Sequence, residues 1–415
     1  MKNRFRRRLG ILGLVLLALA AAFALPAAAG TRDGDGLHER AFLAEYAGFG
    51  DASPSLALIE ERLAQMARDL GSEGEKRSTR NLTLLDLALR ASGMAEAAYP
   101  IAPQELERLS GRLGKRLDEA DARNLAAAKS IGLIESEKAW AAEAAVPVRE
   151  AVRLLYRVIG ISNGGDRALG RSDDPEIYGR LQSAWDSFRL FDGGRLFNLG
   201  VRAIADGAST GYNIKSDAFD SRFVSLYTLQ YGHSDIRHAK QLMALLNEKG
   251  LVARVALEPK TSSYRYLLEW GPVPEPSRHY RVDKVREDLY LASALEYDLK
   301  LEFRTLKDKD AFDSLVQAHA KKNDANPEGR GLLYGSWWQP LYSSLTLMGP
   351  GYEEVAENVV RSEASVGYRM HSFVLKGGER RFRTAFLALD PSLKIETRSL
   401  WCNEAFYRYL KGEHQ

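Results

Sequence analysis

Cysteine is almost missing from this chain. Cys402 stands alone among 415 residues, so no internal disulfide framework can form and the fold must rest on its apolar core. Familiar catalytic signatures are missing too. There is no G-x-S-x-G elbow, no P-loop and no G-x-G-x-x-G turn, which removes the usual sequence grounds for a serine hydrolase, a P-loop NTPase or a dinucleotide enzyme. The tetratricopeptide pattern does not recur. After the first thirty residues no apolar run approaches membrane-spanning length. Charge of one sign is lacking as well: 58 basic and 55 acidic residues leave a formal charge of +3.

What is present begins with a targeting pattern. Lys2, Arg4, Arg6, Arg7 and Arg8 form a positive start, Leu9 to Leu25 is continuously apolar, and Ala27-Ala28-Ala29 supplies a small-residue cleavage site. The pattern predicts a signal peptide over residues 1–29 and an exported protein, periplasmic or secreted, that meets the membrane only through this segment before cleavage. Phe5 and Gly10 fit a twin-arginine motif poorly, and no cysteine near the cleavage point offers a lipid anchor. Removing five basic residues and no acid takes the formal charge from +3 to −2. Nucleic-acid binding thereby loses its compositional support.

Residues 30–207 have helical character. Leu56, Ile59, Leu63, Met66 and Leu70 make one apolar stripe after Ser53-Pro54, and Leu106, Leu109, Leu113 and Leu117 make another after Pro103. Pro147 divides or kinks a further helix. Short loops and alanine- and leucine-rich stripes predict a helical domain. Residues 208–221, polar and carrying Gly211, Asn213, Asp217 and Asp220, read as a linker.

The clearest local pattern is Phe223 to Trp270. A strand-like run ends at Gly232. Ser234 and Asp235 open a helix with Ile236, Ala239, Leu242, Met243 and Leu246 on one face, and Gly250 closes it. Leu251–Leu257 reads as a return strand and Tyr264–Trp270 as another, with a polar turn at Thr261–Ser263 between them. The LQYG after the first strand, the run AKQLMALLNEKGLVARV and the run YRYLLEWGP resemble half of a SPOR domain, the small envelope module that binds peptidoglycan glycan strands. The resemblance covers residues 223–272 and implies a glycan ligand. The proline-rich turn at Pro272, Pro274 and Pro276 departs from the family's second half.

Beyond it, 282–296 reads as a helix, 298–305 as a strand, 310–321 as a helix, 341–348 as a strand, 353–364 as a helix and 368–375 as a strand. Residues 382–389 and 393–399 read as strands, and 403–411 as a terminal helix. The expected fold is α+β: an N-terminal helical domain, then a C-terminal α/β sandwich domain over 222–415, built of ferredoxin-like strand–helix–strand units.

Candidate sites follow from residue types. His233, Asp235 and His238 stand at a helix start, where two imidazoles and a carboxylate could share a metal; because His233 precedes the helix, the set is not held on one face as in H-E-x-x-H, and neither metal nor cofactor is expected. His371-Ser372 and His233-Ser234 lack the spacer of a two-histidine phosphoesterase. Tyr264, Tyr266, Trp270, Trp337 and Trp338 are aromatic groups of the kind that stack on sugar rings or a protein partner. Asp217 with Asp220, and Asp173, Asp174 with Glu176, are carboxylate groups, though acids are ordinary at a linker or before a helix proline. Cys402 reads as a small buried residue. The expectation is an exported, non-catalytic binding or assembly protein of the cell envelope, with a cell-wall glycan or an envelope protein as partner and no nucleic acid. The alternative is a secreted hydrolase using His233, Asp235, His238 or His371.

Overall fold

The computed structural model describes residues 36–50, 54–162, 164–319, 321–323, 326–330 and 341–411. Helices come first: α1 Leu37–Tyr46, α2 Leu56–Asp69, α3 Arg80–Ala91, α4 Pro103–Leu113, α5 Glu119–Ser130, the short α6 Glu137–Ala141 and α7 Val148–Ile161. Their starts are written locally. Ser55, Thr79 and Asp118 each accept a hydrogen bond from a first-turn amide, satisfying donors that have no partner within the helix. Helix α2 thus begins at Leu56, capped by Ser55. The stripes meet in one core centred on Leu63, Leu85, Leu125, Val152 and Leu155. Buried Asp86 ties this bundle together, taking Arg77 at 2.7 Å and Arg90 at 2.8 Å.

The second half is a closed barrel. Its eight strands are β1 Gly211–Ser216, β2 Thr228–His233, β3 Ala253–Tyr266, β4 Leu289–Phe303, β5 Leu341–Ser344, β6 Tyr352–Arg361, β7 Tyr368–Leu375 and β8 Lys394–Asn403. They pair antiparallel in the order β3-β1-β7-β6-β8-β5-β2-β4, and β4 returns to β3 along its whole length, from Ala253 opposite Phe303 to Tyr266 opposite Tyr290. Two further strands of this sheet lie outside the ring, Gly170–Arg171 on β3 and Tyr280–Arg286 as a hairpin with β4, and Lys321–Asn323 pairs with Asn326–Arg330 in a separate two-stranded sheet.

This architecture overturns the expected ferredoxin-like strand–helix–strand units. The sheet closes on itself instead of lying open beneath helices. Four local errors produced the expectation. Residues 282–296 are strand, not helix. Residues 353–364 are mostly the strand β6, and 382–389 belong to a helix. The supposed turn at Thr261–Ser263 is the middle of one long strand, β3. The misreadings of 282–296 and 353–364 share a cause: in a strand with one apolar and one charged face, closely spaced charges look like a helix surface.

The barrel's polarity is inside out. Leu229, Tyr231, Val255, Leu257, Leu299 and Leu301 face outward and pack beneath α8 (Ile177–Ser187), α10 (Ile236–Glu248) and α11 (Leu306–His319). Tyr212, Ile214, Val360, Met370 and Ile395 face outward beneath α9 (Arg195–Ala205) and α12 (Glu379–Leu389). Their inward-pointing neighbours are charged or polar, as strand alternation requires. The C-terminal helix α13 (Glu404–Leu410) plugs one end. Its Phe406 packs on the inward-facing Val355, Leu400 and Cys402. No helix among the described residues is long and apolar enough to cross a membrane.

Candidate functional site

The lumen is assembled from pairs of charges two residues apart. On β3, Glu258 and Lys260 point inward; on β4, Glu296, Asp298 and Lys300; on β7, Arg369 and His371. Single positions on β1 (Lys215), β2 (Gln230), β6 (Glu357) and β8 (Arg398) complete the wall. Antiparallel register sets Asp298 opposite Glu258 and Lys300 opposite both Gln230 and Ala256. Gly232 on β2 makes room: a Cβ there would stand 3.0 Å from Lys260 Nζ and 3.4 Å from Asp298 Oδ1.

Two carboxylates organise the charges. Asp298 takes Lys260 at 2.8 Å on one oxygen and Lys215 on the other. Burial opposes its ionisation, but the field of Lys215, Lys260 and Lys300 prevails and holds the carboxyl well below the usual range. Glu357 takes Arg398 Nε at 2.7 Å and His371 Nδ1 at 2.6 Å. Burial likewise works against its charge, and Arg398 and His371 override it. Burial depresses His371 to about 3, against the pull of Glu357, so the imidazole is neutral. Lys300 is differently placed. Its ammonium donates to Gln230 Oε1 at 2.5 Å and lies 3.9 Å from Glu258. Burial, chiefly, holds it below the ordinary lysine range.

These side chains surround a cavity of about 210 Å³. Lys215, Glu258, Lys300, Glu357, His371 and Arg398 line it, and Leu345 brings the apolar floor to its edge. Its mouth lies under the helical region. Glu45 of α1 accepts from Ser225 N at 2.9 Å, and Tyr46 donates to Phe223 O at 2.7 Å. At the mouth Arg369 pairs with Asp220 at 2.8 Å, and although burial opposes it, this pairing lowers the Asp220 carboxyl to about 2. A larger open groove of about 770 Å³, between α2 and the 73–80 loop, is lined by side chains such as Glu60, Arg68 and Arg80. The lumen is the stronger site, because charge held out of water there demands a reason that a solvated groove does not.

The residues singled out from sequence fall elsewhere. His233 and His238 do meet, with ring centroids 3.9 Å apart. Asp235 turns away: its carboxylate caps α10 and binds Arg237 at 2.8 Å. Burial holds His233 down at about 4. Among the described residues no three His, Cys, Asp or Glu side chains are gathered to hold a metal ion. Tyr264, Tyr266 and Trp270 form a corner where β3 ends. Tyr266 is 8% exposed and donates to Gly271 O and Pro272 O, whereas Trp270 is 57% exposed. Trp337 and Trp338 lie outside the described residues. Asp217 and Asp220 serve Arg361 and Arg369; Asp173, Asp174 and Glu176 serve Arg171 and Arg180. Cys402 is buried in the floor, its thiol pushed up to about 12 by burial. His371 lies in the barrel wall, and the adjacent Ser372 points the other way, toward Ser209.

Lys215, Glu258, Lys260, Asp298, Lys300, Glu357, Arg369 and Arg398 went unnoticed in the sequence. Their mark was there: Glu258-x-Lys260, Glu296-x-Asp298-x-Lys300 and Arg369-x-His371 repeat charge at the period of a strand. By fold and site this is a closed antiparallel barrel with a charged lumen and a helical cover. Compared with models of known protein families, with curated proteins and with solved structures, the chain matches none.

Proposed function

We propose that the protein is a binding protein that takes a small anionic solute into the barrel lumen. One observation carries this: the interior of a closed barrel is lined with cations from five strands, and one of them, Lys300, has no carboxylate within hydrogen-bond reach among the described residues. Desolvating charge costs several kcal/mol per ion, and a core of the same volume is made more cheaply from apolar side chains. The cavity is smaller than the ~300–1,000 Å³ of drug-sized sites, so the ligand has few heavy atoms. The pattern of residues 1–29 adds export to the same proposal, which sets the work in the cell envelope.

The test is a thermal-shift titration of the protein with sodium acetate, sulfate, phosphate and citrate at constant ionic strength. At least one anion should raise the melting temperature saturably; a ligand at 100 times its Kd stabilises by about 2.7 kcal/mol. Lys300→Met should abolish the response. If no anion moves the transition, the lumen is a structural ion network and the proposal fails.

The exposed Trp270 supports a second reading. With Tyr264 and Tyr266 within 6.5 Å and 5.5 Å of its ring, it offers a flat apolar face to a cell-wall glycan or an envelope protein. Co-sedimentation with peptidoglycan sacculi tests it: pelleting that Trp270→Ala abolishes supports the reading, and no pelleting removes the glycan.

A further inference from the structure

We propose, building on the lumenal reading above, that the bound solute is an oxyanion that itself carries a hydroxyl. Hydrogen phosphate is a simple example, with its P–OH on His371 Nε2 and its charged oxygens on Lys300.

The inference starts from one nitrogen. His371 is 2% exposed, and its Nε2 has no hydrogen-bond partner among the described residues. The other ring nitrogen, Nδ1, lies 2.6 Å from Glu357 Oε1. Glu357 is ionised, since Arg398 holds its second oxygen at 2.7 Å. An ionised carboxylate only accepts. Nδ1 therefore carries the proton, and Nε2 is left as a buried acceptor without a donor, on a residue that lines the cavity. The groups that surround the ring are Lys215 on β1, Glu357 on β6, Arg369 on its own strand and Arg398 on β8. Burial above all, then Lys215 and Arg369, disfavours a second proton on the ring against the pull of Glu357, so Nε2 stays an acceptor at neutral pH.

A buried acceptor without a donor is destabilising. The ligand that relieves this brings a donor. The ligand that suits Lys300 brings negative charge. Both demands fall on one small molecule, because His371 and Lys300 line the same small cavity. Glu258, a further acceptor in that wall, reinforces the need for a donor. A fully deprotonated oxyanion meets the lysine but leaves His371 Nε2 bare, and faces Glu258 with nothing to share. The site thus selects by proton inventory as well as by charge, which is how buried polar groups discriminate between ligands of one shape.

Phosphate and sulfate test this directly. At about pH 8 both are dianions of one shape, and only phosphate retains a hydroxyl. Calorimetric titration of the full chain should give phosphate roughly 10- to 100-fold tighter than sulfate. Glycerol 3-phosphate, which brings its hydroxyls on carbon, distinguishes an organic phosphate from the free ion as the source. His371→Phe should bring phosphate and sulfate to equal affinity, and His371→Gln, which can offer a carbonyl oxygen, should keep part of the preference. Circular dichroism reports whether each variant folds; if the phenylalanine variant does not, preference retained by the glutamine variant stands as support and preference equal to wild type in His371→Leu overturns the inference. Lys300→Met should weaken both anions together. Sulfate binding as tightly as phosphate to the wild type would overturn the donor requirement while leaving the anion-binding lumen intact. No anion binding at all would overturn both.

Discussion

Replacing Asp298 by Asn tests the physical basis of the lumen. The carboxylate is 4% exposed and accepts from Lys215 and Lys260, whose side chains are 7% and 10% exposed. Asn keeps the shape and removes the charge. Two ammonium groups are then buried, and among the described residues the carboxylate left within 4 Å of either is Glu296, 3.7 Å from Lys260. Breaking a buried pair by removing one partner costs ~3–5 kcal/mol, so urea unfolding followed by tryptophan fluorescence should show a loss of that size at neutral pH. Removing one stranded cation, in Asp298→Asn/Lys260→Met, should recover at least half. The sign with pH is fixed. Asp298 has a depressed carboxyl in the folded state, so its stabilisation is fully present above the unfolded value of about 3.9 and is lost as pH falls toward the folded one. The difference between Asp298→Asn and the wild type should therefore shrink on acidification. A loss below ~1 kcal/mol at neutral pH, with no gain from the second substitution, would refute the reasoning: the lysines would then be reaching water or shedding their protons at little cost.

Three further outcomes follow from the same geometry. Asp220, held at about 2 by Arg369 against burial, contributes about 2 kcal/mol that is present above pH ~4 and lost between ~4 and ~2; Asp220→Asn should flatten that part of an acid-unfolding curve, and an unchanged curve would discount the pair. Phe406→Ala should remove the plug's main contact, cost ~3–5 kcal/mol by thermal denaturation, and make Cys402 react with a thiol reagent that leaves the wild type untouched. Gly232→Val should crowd Lys260 and Asp298, lower the urea midpoint by ~1–3 kcal/mol equivalent, and leave far-ultraviolet circular dichroism unchanged.

The helical region was legible in outline because its stripes recur at helical spacing and Thr79 starts a helix locally, but the stripe read from Pro103 to Leu117 stops at Leu113, where Gly114 turns left-handed and a new helix begins after Asp118. Helix α10 was legible for the same reason, from Asp235 at its cap to Gly250 at its end. The barrel was not. Strand β4 alternates Leu295, Tyr297, Leu299 and Leu301 with Glu296, Asp298, Lys300 and Glu302, but a charged inner face inverts the usual expectation that apolar residues point to a barrel's centre. Closure itself has no local mark, since β1 meets β7 through pairs such as Asn213 with His371, far apart in sequence. The lumenal site suffers twice. Its residues are scattered over seven strands, and each alone reads as an ordinary surface charge. His371 was noticed, but as a possible edge residue of a hydrolase; its meaning depends on Glu357, which only the register of β6 against β7 brings beside it.

The inverted barrel also constrains the order in which this chain acquires its shape. Strands β3 and β4 form the longest ladder and lie close in sequence, so their hairpin is available early. Its inward face, however, carries Lys260, Asp298 and Lys300 with no wall opposite, and its outward face carries the apolar row that α8 and α10 must cover. Glu357 and His371 arrive only with the last third of the chain. A growing polypeptide therefore holds open sheet edges and an incomplete set of inner charges for as long as its late strands are missing, and a chain cut before β6 has no way to finish the ring. Residence of such incomplete chains with a chaperone, or their rapid proteolysis, is the cellular cost of placing charge at the centre and grease on the rim.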